Sequence, residues 1–192
     1  MTARKSDQKT DKREPHGPSA PSDWVVRFAP LVTTGGSVLD LAAGRGRHAR
    51  YFLERGNTVV AVDRDVSRMA DMADRAEVIE ADLEDGSPWP LGARRFDAVV
   101  VANYLYRPIF TDIRDALAPG GVLIYETFGA GNEAYGKPSN PDFLLQPGEL
   151  LDLARGALEV VAYECGLVER ASGPAVIQRI CARQGGSGPA PL

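Results

Sequence analysis

The run Val38-Leu39-Asp40-Leu41-Ala42-Ala43-Gly44-Arg45-Gly46-Arg47-His48-Ala49 sets a carboxylate and two glycines between an apolar strand and a helical stretch. Glycines there let the backbone approach a ligand, and they leave helix N-terminal amides free to bind it. A second acid, Asp63, with Arg64 beside it, closes the next β-branched run. A carboxylate in that position can accept both hydroxyl hydrogens of a ribose. Gly44-x-Gly46-x-x-Ala49 formally matches a dinucleotide fingerprint, so an NAD(P)-binding Rossmann oxidoreductase is one reading. Asp40 points elsewhere. A carboxylate just ahead of the glycines would repel a pyrophosphate, whereas it suits a cationic amino-acid ligand. His48, in the first turns of the helix, is either a ligand contact or a structural residue.

Short β-branched runs alternate with helical patterns, the mark of βαβ units and a parallel sheet. Strands are predicted at 38–41, 58–63, 76–81, 96–102 and 122–127. Helices are predicted at 24–32 (capped by Ser22 or Asp23), 48–55 (ended by Gly56), 66–75, 109–117 and 149–154. Met69, Met72 and Ala73 fall at core spacing, and Pro119-Gly120-Gly121 reads as a helix stop and tight turn. Two last strands, 158–164 and 175–182, have no helix between them and must pair antiparallel across a turn at Ser172-Gly173-Pro174. The fold class is therefore α/β: a Rossmann-like doubly wound sheet of seven strands, five parallel plus a C-terminal antiparallel hairpin. That ending is not a second mononucleotide-binding half.

With the strands placed, Leu39–Gly46, Ala61–Asp63, Ala81-Asp82-Leu83, Phe96–Asn103 and Pro119–Val122 resemble, in order and spacing, the successive motifs of class I S-adenosylmethionine (SAM)-dependent methyltransferases. The resemblance covers roughly residues 22–184. Asn103–Pro108 and Tyr125–Phe128 further resemble small bacterial proteins similar to tellurite-resistance methyltransferases. It implies that Asp40 and the loop of Ala42, Gly44 and Gly46 hold the methionine part of SAM, with His48 nearby. It implies that Asp63 and Arg64 meet the ribose, that Asp82 accepts from the adenine amino group, and that Leu83 packs on the ring. Asn103, Tyr104 and Tyr106 would lie at the transferable methyl. Ala42 departs from the family's usual glycine, for which a modest effect is expected.

Methyl transfer from a sulfonium is an in-line displacement on an activated carbon, so alignment and exclusion of water matter most. A base is needed only for an acceptor that arrives protonated with a high pKa. Thiols and metalloid oxyanions need none. Tyr104, Tyr106, Arg107, Glu126 and Phe128 are expected around the acceptor, under a lid formed by residues 129–144. A SAM-binding protein without catalysis is the remaining alternative.

Composition bounds these readings. The chain has 192 residues, 44% hydrophobic and 25% charged, as expected of one soluble domain over 21–184. Residues 1–20 read as a disordered arm and 185–192 as a flexible tail. No apolar run approaches the roughly 20 residues of a membrane span, and the start lacks a signal peptide's apolar core, so the expected location is cytoplasmic. The first fourteen residues hold five basic and three acidic side chains, leaving −6 of the net −4 charge on the body. Such a body has no footprint for nucleic acid. A small-molecule substrate is expected, with the chain a monomer or homodimer. Two histidines and two cysteines, far apart, give no metal-ligand spacing, and Cys165 and Cys181 read as free buried thiols.

Overall fold

Strand-forming runs that are apolar on both faces can only be covered from both sides, and the computed structural model, which describes residues 20–170 and 173–185, covers them so. Five parallel strands, β1 (Ser37–Leu41), β2 (Thr58–Asp63), β3 (Glu77–Glu80), β4 (Phe96–Ala102) and β5 (Leu117–Phe128), lie in the order β3-β2-β1-β4-β5. The sheet is completed by β7 (Ala175–Gln184), antiparallel to β5, and by the outer strand β6 (Leu158–Val168). This is the doubly wound sheet and terminal antiparallel pair expected from the sequence.

Alternation along the strands assigns the two cores. Leu39, Leu41, Val60, Val99, Val101 and Leu123 face Ile113 of α3 (Phe110–Asp115) and Leu150 and Leu153 of α4 (Glu149–Ala154). Their neighbours Val38, Val59, Ala98, Val100 and Ile124 face Trp24 and Phe28 of α1 (Asp23–Phe28) and Phe52 of α2 (Arg47–Glu54). Ser22 caps α1, its hydroxyl accepting from the amides of Trp24 and Val25 at 3.1 and 3.4 Å. The Trp24 indole N–H donates to the Ile180 carbonyl at 3.2 Å and ties that helix to β7.

Some elements differ from the sequence reading. The helix expected over 66–75 is a 3₁₀ segment, Ser67–Met72. Asp65 Oδ1 accepts from both the amide and hydroxyl of Ser67, and i→i+3 bonds follow at Met69 and Ala73. Three residues per turn stack Met69 over Met72 in the core and rotate Ala73 out to solvent. The helix expected over 109–117 opens as a 3₁₀ turn, Arg107–Ile109, and Leu117 already belongs to β5. Pro119-Gly120-Gly121 sits within β5 as an irregularity, where pairing with β4 jumps from Phe96↔Leu117 to Ala98↔Val122. Cys181 is buried as expected, but Cys165 is exposed. Ser172, and the arm and tail apart from Ala20 and Gly185, lie outside the described residues. Among the described residues no helix is long and apolar enough to cross a membrane.

Candidate active site

Parallel pairing of β2, β1 and β4 brings their carboxyl ends level, and chain order reverses between β1 and β4. Such a switch point opens a crevice in which ligands bind. A cavity of about 520 Å³ lies there. Its walls are Ala42, Asp63 and Arg64 on the β1–β2 side, and Asp82, Leu83 and Glu84 after β3. Asn103 and Tyr104 follow β4, Thr127 and Phe128 end β5, and Pro138 and Phe143 come from the long connection after it.

Backbone strain is concentrated on this wall. Among the described residues, the two non-glycine residues with positive φ are Ala42 (52°) and Asn103 (55°), at the ends of β1 and β4. A side chain in that region costs roughly 1–2 kcal/mol, so Ala42 carries the cost that a glycine would have avoided. Gly44 and Gly46 continue the loop at φ 60° and 70°. A Cβ on Gly46 would fall 2.5 Å from Met72 Cε and 3.0 Å from Met69 Sδ, whereas one on Gly44 meets nothing within 4 Å. Gly46→Ala is therefore expected to cost about 2 kcal/mol, a fall of about 4–8 °C in Tm by calorimetry. Gly44→Ala should cost less in Tm and more in ligand affinity, because its Cβ projects into open space beside Asp63. Equal effects of the two on Tm would show that packing under the loop is not what selects glycine at 46.

Asp63 organises the loop from the opposite strand. Its Oδ2 accepts from the Gly44 amide at 2.6 Å and its Oδ1 from the Asp65 amide at 3.0 Å. Each carboxylate oxygen retains a second lone pair for a hydroxyl donor. Asp82 Oδ1 accepts from the Glu84 amide at 2.9 Å, which shapes the turn and leaves its other oxygen on the cavity.

Asp40 and His48 are brought together, but beneath the loop and off the cavity wall. Asp40 is 1% exposed and His48 3%. Asp40 Oδ2 accepts from the Ala49 amide at 2.8 Å, and the Ser22 amide donates to His48 Nε2 at 3.3 Å. An accepting Nε2 places the imidazole proton on Nδ1, which faces Asp40 Oδ1 at 3.8 Å. Burial pushes the Asp40 carboxyl up to about 7, against the pull of the Ala49 amide and Arg47. Burial, with repulsion from Arg47, holds His48 down at about 3. At neutral pH this is a neutral imidazole over a carboxyl near its midpoint, not a charged pair.

The residues expected around an acceptor do not all meet at this cavity. Tyr106 lines a neighbouring cavity of about 830 Å³ with Trp89, Pro108 and Ile109, which shares Arg64, Asp82 and Leu83 with the first. Glu126 is buried and does not reach the wall. Arg107 is a tie: it donates to both carboxylate oxygens of Glu149, at 2.5 and 3.0 Å, and to the carbonyls of Asp142 and Leu144 at 2.8 and 2.9 Å. The segment after β5 is also held by buried Asn132, whose amide donates to the Pro138 carbonyl and accepts from the Val176 amide. It thus forms a tied wall of the cavity, with Pro138 and Phe143 facing in. Thr127, Glu84 and Pro138 were missed in the sequence. Thr127 was findable as a strand-end residue, while nothing local marks Pro138. The Tyr104 hydroxyl is buried without a hydrogen-bond partner. Burial chiefly, aided by the Glu84 carboxylate, raises its pKa well above the usual tyrosine value, so it stays a neutral donor.

A glycine loop after β1, an acid at the end of β2, and a parallel sheet closed by an antiparallel pair define the class I SAM-dependent methyltransferase fold. Residues 38–121 match the model of the methyltransferase domain family. The cofactor of this class is S-adenosyl-L-methionine. The chain is 34% identical over 103 residues to the malonyl-[acyl-carrier protein] O-methyltransferase of Salmonella typhimurium, a match covering 50% of this chain and 40% of that protein. Among solved structures it is similar to TehB from Haemophilus influenzae (TM-score 0.66, 18% identity, 83% of this chain and 61% of that one). It is likewise similar to the 1,6-didemethyltoxoflavin-N1-methyltransferase of Burkholderia thailandensis, which has S-adenosylhomocysteine bound (TM-score 0.63, 22% identity, 85% and 76%). A SAM-dependent methyltransferase of Methanosarcina mazei matches at TM-score 0.65 and 16% identity, over 83% of this chain and 97% of its own.

The wall residues suit the cofactor. Asp63 offers paired acceptors for a ribose, and Asp82 and Leu83 an acceptor and an apolar face for a base; Gly44 and Gly46 are not part of the wall themselves, but the Gly44 amide is held by Asp63.

Proposed function

We propose that this chain transfers the methyl of SAM to a small acceptor that reacts as the anion it forms in solution, a thiolate or an oxyanion, without a base from the protein. One observation carries the reading. Among the described residues, the part of the cavity made of Asn103, Tyr104, Thr127, Phe128, Pro138 and Phe143 has no imidazole or amine to act as a base, and the carboxylate nearest to it, Glu84, lies beside the Tyr104 hydroxyl. Bound SAM supplies a methyl carbon activated by a positive sulfur. The chain's own residues do the rest. Asp63 and Asp82 hold the nucleoside, and Asn103 and the donating Tyr104 hydroxyl orient the acceptor. Phe128, Phe143 and Pro138 exclude water, which raises the reactivity of an anionic nucleophile. The relatives named above act on a carrier-bound malonyl group and on a toxoflavin precursor. Their acceptors differ, and the aromatic wall here favours a compact one.

The test is S-adenosylhomocysteine release with a panel of small thiols, chalcogen oxyanions, phenols and amines. Turnover of thiols that rises with pH through the thiol's own pKa is expected. Turnover confined to alcohols or phenols, or binding of S-adenosylhomocysteine with no turnover of any acceptor, would reject the reading. Tyr104→Phe should lower kcat about tenfold, the worth of one hydrogen bond to the reacting partner, while leaving S-adenosylhomocysteine affinity within twofold. Its Tm should not fall, because the deleted hydroxyl has no partner.

A further inference from the structure

Arg170, in the connection between β6 and β7, is a half-buried cation that the site described so far does not use. Its guanidinium carbon lies 5.3 Å from the centroid of the Phe128 ring. Its Nη1 donates to Asn103 Oδ1 at a long 3.3 Å. Phe128 and Asn103 both line the cavity, so Arg170 stands behind its rim, between the ends of β4 and β5. A guanidinium has five N–H donors, and that single long bond is its one hydrogen bond among the described residues. Burial lowers its pKa, Glu126 opposes this, and Arg47 and Arg179 add repulsion. Arg179 is satisfied by Glu164, at 2.8 and 2.5 Å. Arg47, the first residue of α2, donates to the Ala20 carbonyl at 3.4 Å. Two poorly bonded guanidiniums, Arg47 at the start of α2 and Arg170 behind Asn103, are thus close enough to repel each other. A half-desolvated, underpaired cation is costly, and a bidentate anion relieves the cost.

We propose that Arg170, assisted by Arg47, binds the α-carboxylate of the cofactor's amino-acid end. The inference rests on the SAM reading of the cavity. With the nucleoside on Asp63 and Asp82, the amino-acid end extends past Ala42 toward Asn103 and comes under Arg170. Asn103 is then a bridge. Its amide N–H donates to the Glu126 carbonyl at 2.9 Å, its positive φ turns the side chain to the rim, and its Oδ1 steers the guanidinium.

Calorimetric titration of two ligands tests this. S-adenosylhomocysteine has the carboxylate; 5′-methylthioadenosine shares its nucleoside and thioether but lacks the amino-acid end. Wild-type protein that fails to bind S-adenosylhomocysteine would fault the cofactor reading itself. Given that binding, Arg170→Gln should weaken S-adenosylhomocysteine tenfold or more and leave 5′-methylthioadenosine within twofold. Arg170→Lys, which keeps the charge but loses the fork, should fall between. Unchanged affinity for both ligands would overturn the proposal, as it would if Arg170 served a carboxylate on the acceptor. Equal weakening of both would also overturn it, because the change would then lie in the cavity wall.

Discussion

Asp63→Ala is expected to raise the Kd for S-adenosylhomocysteine about 100-fold, read by calorimetry at neutral pH. Two losses combine. The carboxylate would accept from the ribose hydroxyls, and two charge-assisted bonds are together worth about 3 kcal/mol or more. The same carboxylate holds the Gly44 amide at 2.6 Å, so its removal also releases the loop proposed to carry the methionine part. Asp63→Asn separates these effects. The amide oxygen can still accept from Gly44 but offers a ribose one acceptor instead of two, and a loss of about tenfold is expected. Because Asp63 is part-exposed, either change should lower Tm by only a few degrees. Affinity within twofold of wild type in Asp63→Ala would mean that the ligand does not lie along β2, and the assignment of the cavity would fall with it.

How much of this was legible in the sequence follows from which interactions are local. The strands were, because alternation and β-branching are written residue by residue: Thr58–Asp63 and Phe96–Ala102 match at both ends. That Ala42, Asp63, Arg64, Asp82 and Asn103 share one cavity was legible for the same reason, since each is the residue at or just beyond a strand's carboxyl end, and parallel pairing must bring such positions together. Helical spacing was less decisive. Met69 and Met72 satisfy three residues per turn as well as 3.6, and Asp65 tips the choice by bonding Ser67. The side proposed to hold the acceptor was largely illegible. Arg107 looked like a pocket residue by position, yet it is consumed by Glu149, 42 residues away, and the contact of Arg170 with Asn103 spans 67 residues. Tyr106 is a different case: the chain turns at Arg107–Ile109, and the residue just before that turn lines the adjoining cavity.

Asp40→Asn is expected to stabilise the fold while weakening the site. Burial raises the Asp40 carboxyl from 3.8 to about 7. Between those two values the native state keeps a proton that the unfolded chain has released, so stability falls as pH rises and levels off above about 7. A gap of roughly three pKa units corresponds to about 4 kcal/mol at pH 8. Asparagine is neutral, nearly isosteric, and can still accept from the Ala49 amide, so most of that cost should vanish. A rise of about 5–10 °C in Tm is expected at pH 8, shrinking to nearly nothing at pH 4, where both side chains are close to neutral. His48 contributes in the opposite sense: held near 3, it loses stability as pH falls below 6.5, where the unfolded imidazole takes a proton. That loss is common to both proteins and cancels in the comparison. The functional side follows from the same charge. A carboxylate beneath the glycine loop is favoured by a cationic amino-acid ligand, so ligand binding should pull the Asp40 pKa down and release a proton near pH 7. Asp40→Asn removes both the attraction and the proton release, which calorimetry in buffers of different ionisation enthalpy detects. A Tm at pH 8 several degrees below wild type would show instead that the native carboxylate is ionised and well paired, and that the loop depends on its charge.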